Sequence, residues 1–301
     1  MKKERLAGTL SWQSQIALII IPVITVIVVI AIGRMSISPI EAIKTILNHF
    51  GGNFDISKEA EKVIWTIRFP RILLALLVGA GLSVAGCSFQ SLFSNPLATP
   101  DTLGVASGSS FGAALGLLIG LNLIGVQILA LVCGIAAVIL TWLSSGSGKR
   151  NNMNTIVLAG IMIGSLFTAL VSLVKYVADT ESQLPSITYW LMGSLNSANF
   201  DSLALGAPLI IIGIFVLFLI RWRLNILPLS EDEAKATGTN IRFLRVVTII
   251  CATAITASCV SMCGQVGWVG LLVPHICRMK FGNNHLSLLP ASISIGAAFM
   301  V

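Results

Sequence analysis

The sequence predicts an all-α polytopic membrane protein, and three observations carry that prediction. Hydrophobic residues make up 55% and charged residues 10% of the 301-residue chain, with a mean hydropathy of +0.93. That is more apolar surface than a water-soluble fold can cover with polar side chains. The apolar residues fall in helix-length windows, and the ten-residue alternating segments of a transmembrane barrel are missing, so the backbone must satisfy its hydrogen bonds inside helices. The formal net charge of +7 does not point to nucleic acid, because Lys and Arg sit in the gaps between apolar windows, where they set topology. One transmembrane domain, residues 1–301, is expected in the lipid bilayer.

The basic N-terminus precedes an apolar run, Ile16 to Gly33, with no small-residue cleavage site behind it. It reads as a retained first span to about Arg34, mildly kinked at Pro22, and not as a signal peptide. Ser38-Pro39-Ile40-Glu41 then supplies an N-cap and a first-turn proline for a short outer-surface helix to Phe50, stopped by Gly51-Gly52. The second span runs from about Val63 to Phe93 and is long enough to tilt or to project. Near its start Arg68 and Arg71 are three apart, on one helical face. From Arg68 to the Asn95-Pro96 break the rod measures about 40 Å, a bilayer with its headgroups, so arginines and break belong to opposite surfaces.

The third span begins near Leu103, with glycines at 104, 108, 112, 116 and 120. A glycine every fourth residue makes a ridge along which a neighbouring backbone can approach; a flexible gate beside a transport path is the other reading. The fourth span is Leu123 to Leu143. In the loop after it, Gly146-Ser147-Gly148-Lys149-Arg150 fails as a phosphate cradle: Arg150 stands where Ser or Thr is needed, Leu143 where Gly is needed, and no strand precedes it. The fifth span, Thr155 to about Val174, spaces Gly160, Gly164 and Thr168 four apart. An outer segment, Lys175 to Asp201, contains Pro185 and the interfacial pair Tyr189-Trp190.

The sixth span is Leu203 to Ile220, and the most polar inner loop, residues 221–245, follows it. Ser230 with Glu233 is a capping box and Gly238 a stop, so a short helix of about two turns is expected inside that loop. A seventh span, Val246 to about Gly264, is broken by Gly264, Gly267 and Gly270. Val266 to Cys277 is then too short to cross alone, and half-length helices of this kind are a transporter trait. The turn Gly282-Asn283-Asn284-His285 leads into the last apolar run, Leu286 to Val301. With the N-terminus in the cytoplasm, most Lys and Arg residues fall inside, among them Lys2, Lys3, Arg5, Lys149, Arg150, Arg221, Arg223, Arg278 and Lys280.

Sites of chemistry are few. The six cysteines make no CxxC and have no histidine at zinc-ligand spacing, so they read as small buried residues. There is no HExxH. The nearest nucleophile motif, Gly104-Val105-Ala106-Ser107-Gly108, could pair Ser107 with His275 as an intramembrane Ser-His protease. That rival lacks any oxyanion donor or orienting group beyond the two residues. Otherwise Ser107 is a small packing residue and His275 a hydrogen-bonded one.

Several segments, in order, carry a resemblance. They are Arg68-Phe69-Pro70-Arg71, Asn95-Pro96-Leu97-Ala98, Leu103-Gly104-Val105 with Ser107-Gly108, Trp190-x-Met192-Gly193-Ser194, and Leu224-Asn225 through Ser230 and Gly238 to Arg245. Gly264-x-x-Gly267-Trp268-Val269-Gly270 with Pro274-His275-Ile276-x-Arg278 comes next, and then His285 with Leu288-Leu289-Pro290. Together they resemble the FecCD-type permease subunits of type II ABC importers, which take up iron-siderophore complexes, haem and cobalamin. The resemblance implies the type II importer permease bundle, with ten spans in the family and about nine present here, the C-terminal span being missing or truncated. Two departures accompany it: the chain stops partway through the ninth span, and Asn283-Asn284 stands where the family often has basic residues.

The function implied is that of a multi-pass permease in the cell membrane, N-terminus cytoplasmic, forming the path of an ATP-driven importer for a metal chelate. Ferric siderophore is the first expectation, with cobalamin or haem as alternatives. The subunit would be no enzyme and bind no cofactor, since ATP is used by a separate cytoplasmic ABC ATPase dimer. A second permease copy and an extracytoplasmic substrate-binding protein complete the implied assembly. By the same resemblance Arg68 and Arg71 dock the binding protein, the other reading being ordinary snorkelling at the interface. Ser230, Glu231, Glu233, Ala234, Thr237 and Gly238 couple to the ATPase, where a merely solvated loop is the other reading. Gly104, Gly108, Gly112 and Gly116, with Pro274 and His275, serve helix packing or the translocation path.

Overall fold

The computed structural model describes residues 10–33, 37–49, 51–52, 54–146 and 153–301, and among these no strand occurs. The basic residues Lys2, Lys3, Arg5, Arg34, Lys149 and Arg150, and the helix stop at Phe50, lie outside the described residues. Helix α1 is Trp12–Ala31 and α2 Pro39–His49. Helix α3, Lys58–Val63, runs through a π-helical turn, Ile64–Arg68, into α4, Phe69–Leu92. After a 3₁₀ turn, Pro100–Leu103, come α5, Val105–Leu118, α6, Leu123–Ser144, α7, Met153–Val177, α8, Gln183–Leu191, and α9, Phe200–Leu219. A second 3₁₀ turn, Arg223–Ile226, precedes α10, Glu231–Ala236, α11, Ile241–Cys263, α12, Val269–Phe281, and α13, His285–Met300. Among the described residues, six helical stretches are long and apolar enough to cross a membrane: α1, residues 58–92, α6, α7, α9 and α11; α5 and α13 are shorter apolar helices.

Two of these helices form the centre. Within their apolar windows α4 is 83% and α11 72% buried, against 11% for α1. Composition explains the difference. Helix α4 buries Gly79, Gly81 and Gly86 together with Ala75, Ala80, Ala85, Ser83 and Ser88, so it offers neighbours backbone in place of side chains. It packs on α9, α11, α12 and α13. A methyl added at Gly79 would lie 2.8 Å from the Gly296 carbonyl carbon of α13, and one at Gly86 would lie 2.6 Å from the Gly270 carbonyl carbon of α12.

Polar side chains join the spans where lipid offers no partner. The Gln127 amide donates to the Ser202 carbonyl (3.0 Å) and accepts from the Ser202 hydroxyl (2.8 Å), tying α6 to α9. Ser258 of α11 donates to the Gly206 carbonyl (2.8 Å), Thr141 to the Leu103 carbonyl (3.1 Å), and Ser294 of α13 to the Leu18 carbonyl of α1. On the outside, Ile19, Val23, Leu158, Met162, Ile212 and Phe215 remain exposed, as a lipid-facing surface requires.

The sequence reading is refined at three places. The second span starts earlier, at Lys58, and carries the π turn. Gly104 lies outside helix α5, as its N-cap, at a φ of 76° that a residue with a Cβ rarely adopts. The segment after α7 contains the helix α8, within which Ile187 is fully buried against Ala114 and Val174.

Candidate functional site

At one end of the bundle, Arg68 closes the π turn and Arg71 sits in the first turn of α4. Their guanidinium groups go to different neighbours. Arg68 donates through Nη1 to the Ile30 carbonyl (2.5 Å) and lies so close over Gly33 that a methyl there would sit 2.9 Å from its Cζ. It therefore satisfies one of the carbonyls left open at the end of α1. Arg71 has a buried Nε without a hydrogen-bond partner and sits near enough to Tyr189 to act on it electrostatically. Tyr189 is also held by Ser194 (3.3 Å) and by the amide of Asn196 (3.0 Å). These contacts, Ser194 foremost, then Asn196, with Arg71 a lesser contributor, hold its phenol below the ordinary value.

In the middle of the bundle the glycine ridge faces α6. Methyl groups at Gly108 and Gly112 would lie 2.6 Å from the Ala137 Cβ and 2.8 Å from the Cys133 Cβ, and one at Gly116 would lie 3.2 Å from the Val126 Cα. Gly104 instead meets Gly160 and Gly164 of α7. Beside that contact lies a cleft of about 380 Å³ lined by Asp101, Thr102, Ser107, Ser165 and Thr168. A second cavity, of about 220 Å³, lies on the other side of Asp101, among Leu82, Thr256, Val260, Gln265 and Trp268. Asp101 accepts from the Ala106 amide (2.9 Å) at the start of α5. Trp268 caps α12 with a φ of 70° and is 80% exposed. Pro274 is buried inside α12 and His275 is exposed on it. Among the described residues no hydrogen bond joins Ser107 to His275, and no cluster of three His, Cys, Asp or Glu side chains could hold a metal ion.

In the loop between α9 and α11, the capping box forms as a closed pair. Ser230 donates from its amide (2.9 Å) and its hydroxyl (2.8 Å) to Glu233 Oε2, which holds the Glu233 carboxyl below its ordinary value. Glu231 opens α10. Ala234 is fully buried and clusters with Ile226 and Ile241. Thr237 turns its hydroxyl back to the Ala234 carbonyl (2.7 Å), and Gly238 ends the segment at a φ of 72°. Asp232, Glu233, Ala236, Thr237 and Gly238 are exposed. The helix is thus pinned along one edge and open along the other.

Behind α10 runs a polar chain that sequence reasoning missed. Asn225 accepts, through Oδ1, from the His285 amide (3.0 Å) and stands 2.8 Å from His285 Nδ1. Its Nδ2 donates to Asn284 Oδ1 (3.1 Å) and to the Trp222 carbonyl (3.2 Å). The other ring nitrogen of His285 meets the Ser91 hydroxyl of α4 at 2.6 Å. A recess of about 740 Å³ opens beside it, between Asn95-Pro96, Pro228, Arg278 and Asn283. The signal that could have found the chain was a histidine and two asparagines at the ends of apolar windows, where polar groups need partners.

A sequence profile of the FecCD transport family matches residues 19–301. The chain is 39% identical over 279 residues to the molybdate import system permease protein MolB of Haemophilus influenzae, covering 93% of this chain and 82% of that protein. It is 34% identical over 282 residues to a probable iron chelatin transport system permease protein of Helicobacter pylori strain 26695, covering 93% and 85%. Its fold matches a solved ABC transporter described as being of metal-chelate type and in an inward-facing conformation. The TM-score is 0.86 at 38% identity, over 96% of this chain and 88% of that one.

Proposed function

The chain belongs to the FecCD transport family, and from that premise we propose that it forms one half of the path by which a metal species enters the cell. At the level of the family it is a multi-pass permease subunit of an ABC importer and is not itself an enzyme; ATP is hydrolysed in a separate ATPase. The intramembrane protease reading of Ser107 and His275 is thereby set aside, in keeping with the absence of a hydrogen bond between them among the described residues.

The observation that carries the finer reading is α10. It is a capped, edge-pinned helix with exposed Asp232, Glu233 and Thr237, on a loop directly joined to the spans. It supplies the docking element for a cytoplasmic ATPase dimer, and Ser230, Glu231, Glu233, Ala234, Thr237 and Gly238 build it. A second permease copy completes the path, with Pro274, His275 and the glycine face of α5 setting how closely the helices approach along it. On the outer side Arg71, and Arg68 beyond its tie to Ile30, face a substrate-binding protein. The N-terminus lies in the cytoplasm. The subunit holds no cofactor of its own.

The cargo we assign first is a ferric siderophore, with haem and cobalamin as the other chelates. A path lined by small and apolar side chains with few charges would suit a bulky chelate that must pass without tight binding. Molybdate is the second reading, favoured by the identity to MolB over most of the chain. Uptake into proteoliposomes holding the permease, its ATPase and its binding protein decides between them. Accumulation of ⁵⁵Fe-labelled siderophore and not of ⁹⁹Mo-molybdate supports the first reading, the reverse pattern the second. ATP hydrolysis unchanged by any loaded binding protein would refute the importer function.

A further inference from the structure

We propose that His285 is the pivot through which movement of the α10 loop reaches both α4 and α13. The inference rests on the permease reading and adds to it the residues that carry motion past the docking helix.

The bond pattern determines itself. Asn225 Nδ2 faces two acceptors, the Trp222 carbonyl and Asn284 Oδ1, so its Oδ1 is the end turned to His285. Turning the amide over would set its NH₂ against the His285 backbone N–H, donor on donor. With Oδ1 as acceptor, His285 Nδ1 must carry the proton, and Nε2 is left to accept from the Ser91 hydroxyl. With the ring neutral, every member of the chain Asn284, Asn225, His285, Ser91 has one role consistent with the others, and the Cys87 carbonyl of α4 lies against the same ring. His285 is 5% and Ser91 5% exposed, so these bonds do not compete with bulk water.

The two ends of this chain belong to different bodies. Asn225 lies in the 3₁₀ turn Arg223–Ile226, and Ile226 of that turn packs with Ala234 of α10 and Ile241 of α11. The turn and the docking helix therefore move together. Ser91 is in the last turn of α4, the most buried of the spanning stretches, which leads back to Arg68 and Arg71 at the outer surface. His285 is itself the first residue of α13, which packs along α4 and α1. A displacement of α10 therefore pulls on α4 through one side chain and on α13 through the same residue's backbone. Packed helices answer such a pull as bodies, because their interfaces do not deform continuously.

The experiment compares wild type with Ser91→Ala, Asn225→Ala, the double variant and Asn225→Asp. Each permease is reconstituted with its ATPase and binding protein, and the readout is labelled siderophore or molybdate transported per ATP hydrolysed, using whichever probe the wild type accumulates. Ser91→Ala and Asn225→Ala should each lower that ratio about tenfold, the factor that losing one buried hydrogen bond carries, while ATP hydrolysis stays within about twofold. The double variant should fall no further, because a chain broken once is broken. Asn225→Asp keeps the acceptor for His285 but sets its second oxygen against the Trp222 carbonyl and Asn284 Oδ1, so it should stay as low as Asn225→Ala. Thermal midpoint and ATPase co-purification, measured in parallel, identify a variant that has only lost its fold, in which case Ser91→Ala, the smallest change, decides. A wild-type ratio in the folded variants, or losses that add in the double, overturns the pivot alone. A wild type that retains no ATPase and accumulates neither probe overturns the permease reading, and the pivot with it.

Discussion

Gly86→Ala should be among the most damaging single-methyl additions in the bundle. The new carbon would overlap the Gly270 carbonyl oxygen and lie 2.6 Å from the carbonyl carbon and 2.8 Å from the Cα. Carbon pairs rest at about 3.5–4.0 Å, so the backbones of α4 and α12 must part by about 1 Å. Backbone atoms cannot rotate aside, and Gly270 of α12 also lies against the Pro100 ring of the 3₁₀ turn. The displacement therefore passes into the 3₁₀ turn ahead of α5. Overpacking of this kind costs about 1–3 kcal/mol. For a bundle of this size that lowers the thermal midpoint by about 2–5 °C. Six tryptophans make intrinsic fluorescence a convenient probe in detergent. Gly267→Ala is the matched control, since nothing lies within 4 Å of its added methyl. If the two variants melt together, the α4–α12 contact is not as tight as described and the reasoning fails.

Three further outcomes are expected. Arg68→Ala removes the donor to the Ile30 carbonyl and should cost about 1–2 kcal/mol in the same melting assay; an unchanged midpoint would show the bond to be idle. Ser230→Ala should speed amide exchange across residues 231–236. In the wild type the same loosening should appear on acidification. A carboxyl whose folded pKa is depressed contributes stability that is present above the unfolded glutamate value and lost as pH falls through the folded one. Exchange that is insensitive to both changes would exclude the capping box as the support of α10. Maleimide should react with Cys133 and Cys251 before the buried Cys87, Cys259, Cys263 and Cys277. In a background lacking those two, Ala236→Cys should label only from the cytoplasmic side and Ser197→Cys only from outside, and the opposite pattern would invert the topology.

Much of the fold was legible because its signals are local. Apolar windows and their flanking polar residues placed the six long spanning stretches to within a few residues of their observed ends, apart from the early starts of the second and of α11, each five residues ahead of the expected one, and Ser230 with Glu233 announced α10. What escaped depends on contacts distant in sequence. No local pattern marks Ile64–Arg68 as a π turn, and the turn helps to decide where the two arginines point. Arg68 and Arg71 looked equivalent at a spacing of three, yet the end of α1 claims the first and Tyr189 borders the second. Trp268 gave no warning of its left-handed backbone beyond the glycines on either side. Ser91 and His285 are joined across 194 positions, a pairing that no window along one sequence can see.

Helix α5 raises a question of biosynthesis. At 14 residues it is about 21 Å long, some 9 Å short of the hydrocarbon core. It cannot leave a translocon sideways as an independent span, since its ends would drag unpaired backbone groups into lipid. Its glycine face is complementary to α6, which is made immediately afterwards and is long enough to anchor both. The two must therefore enter the bilayer as a hairpin. A nascent chain arrested between them would remain exposed to quality-control proteases until the next 22 residues, those of α6, had been synthesised.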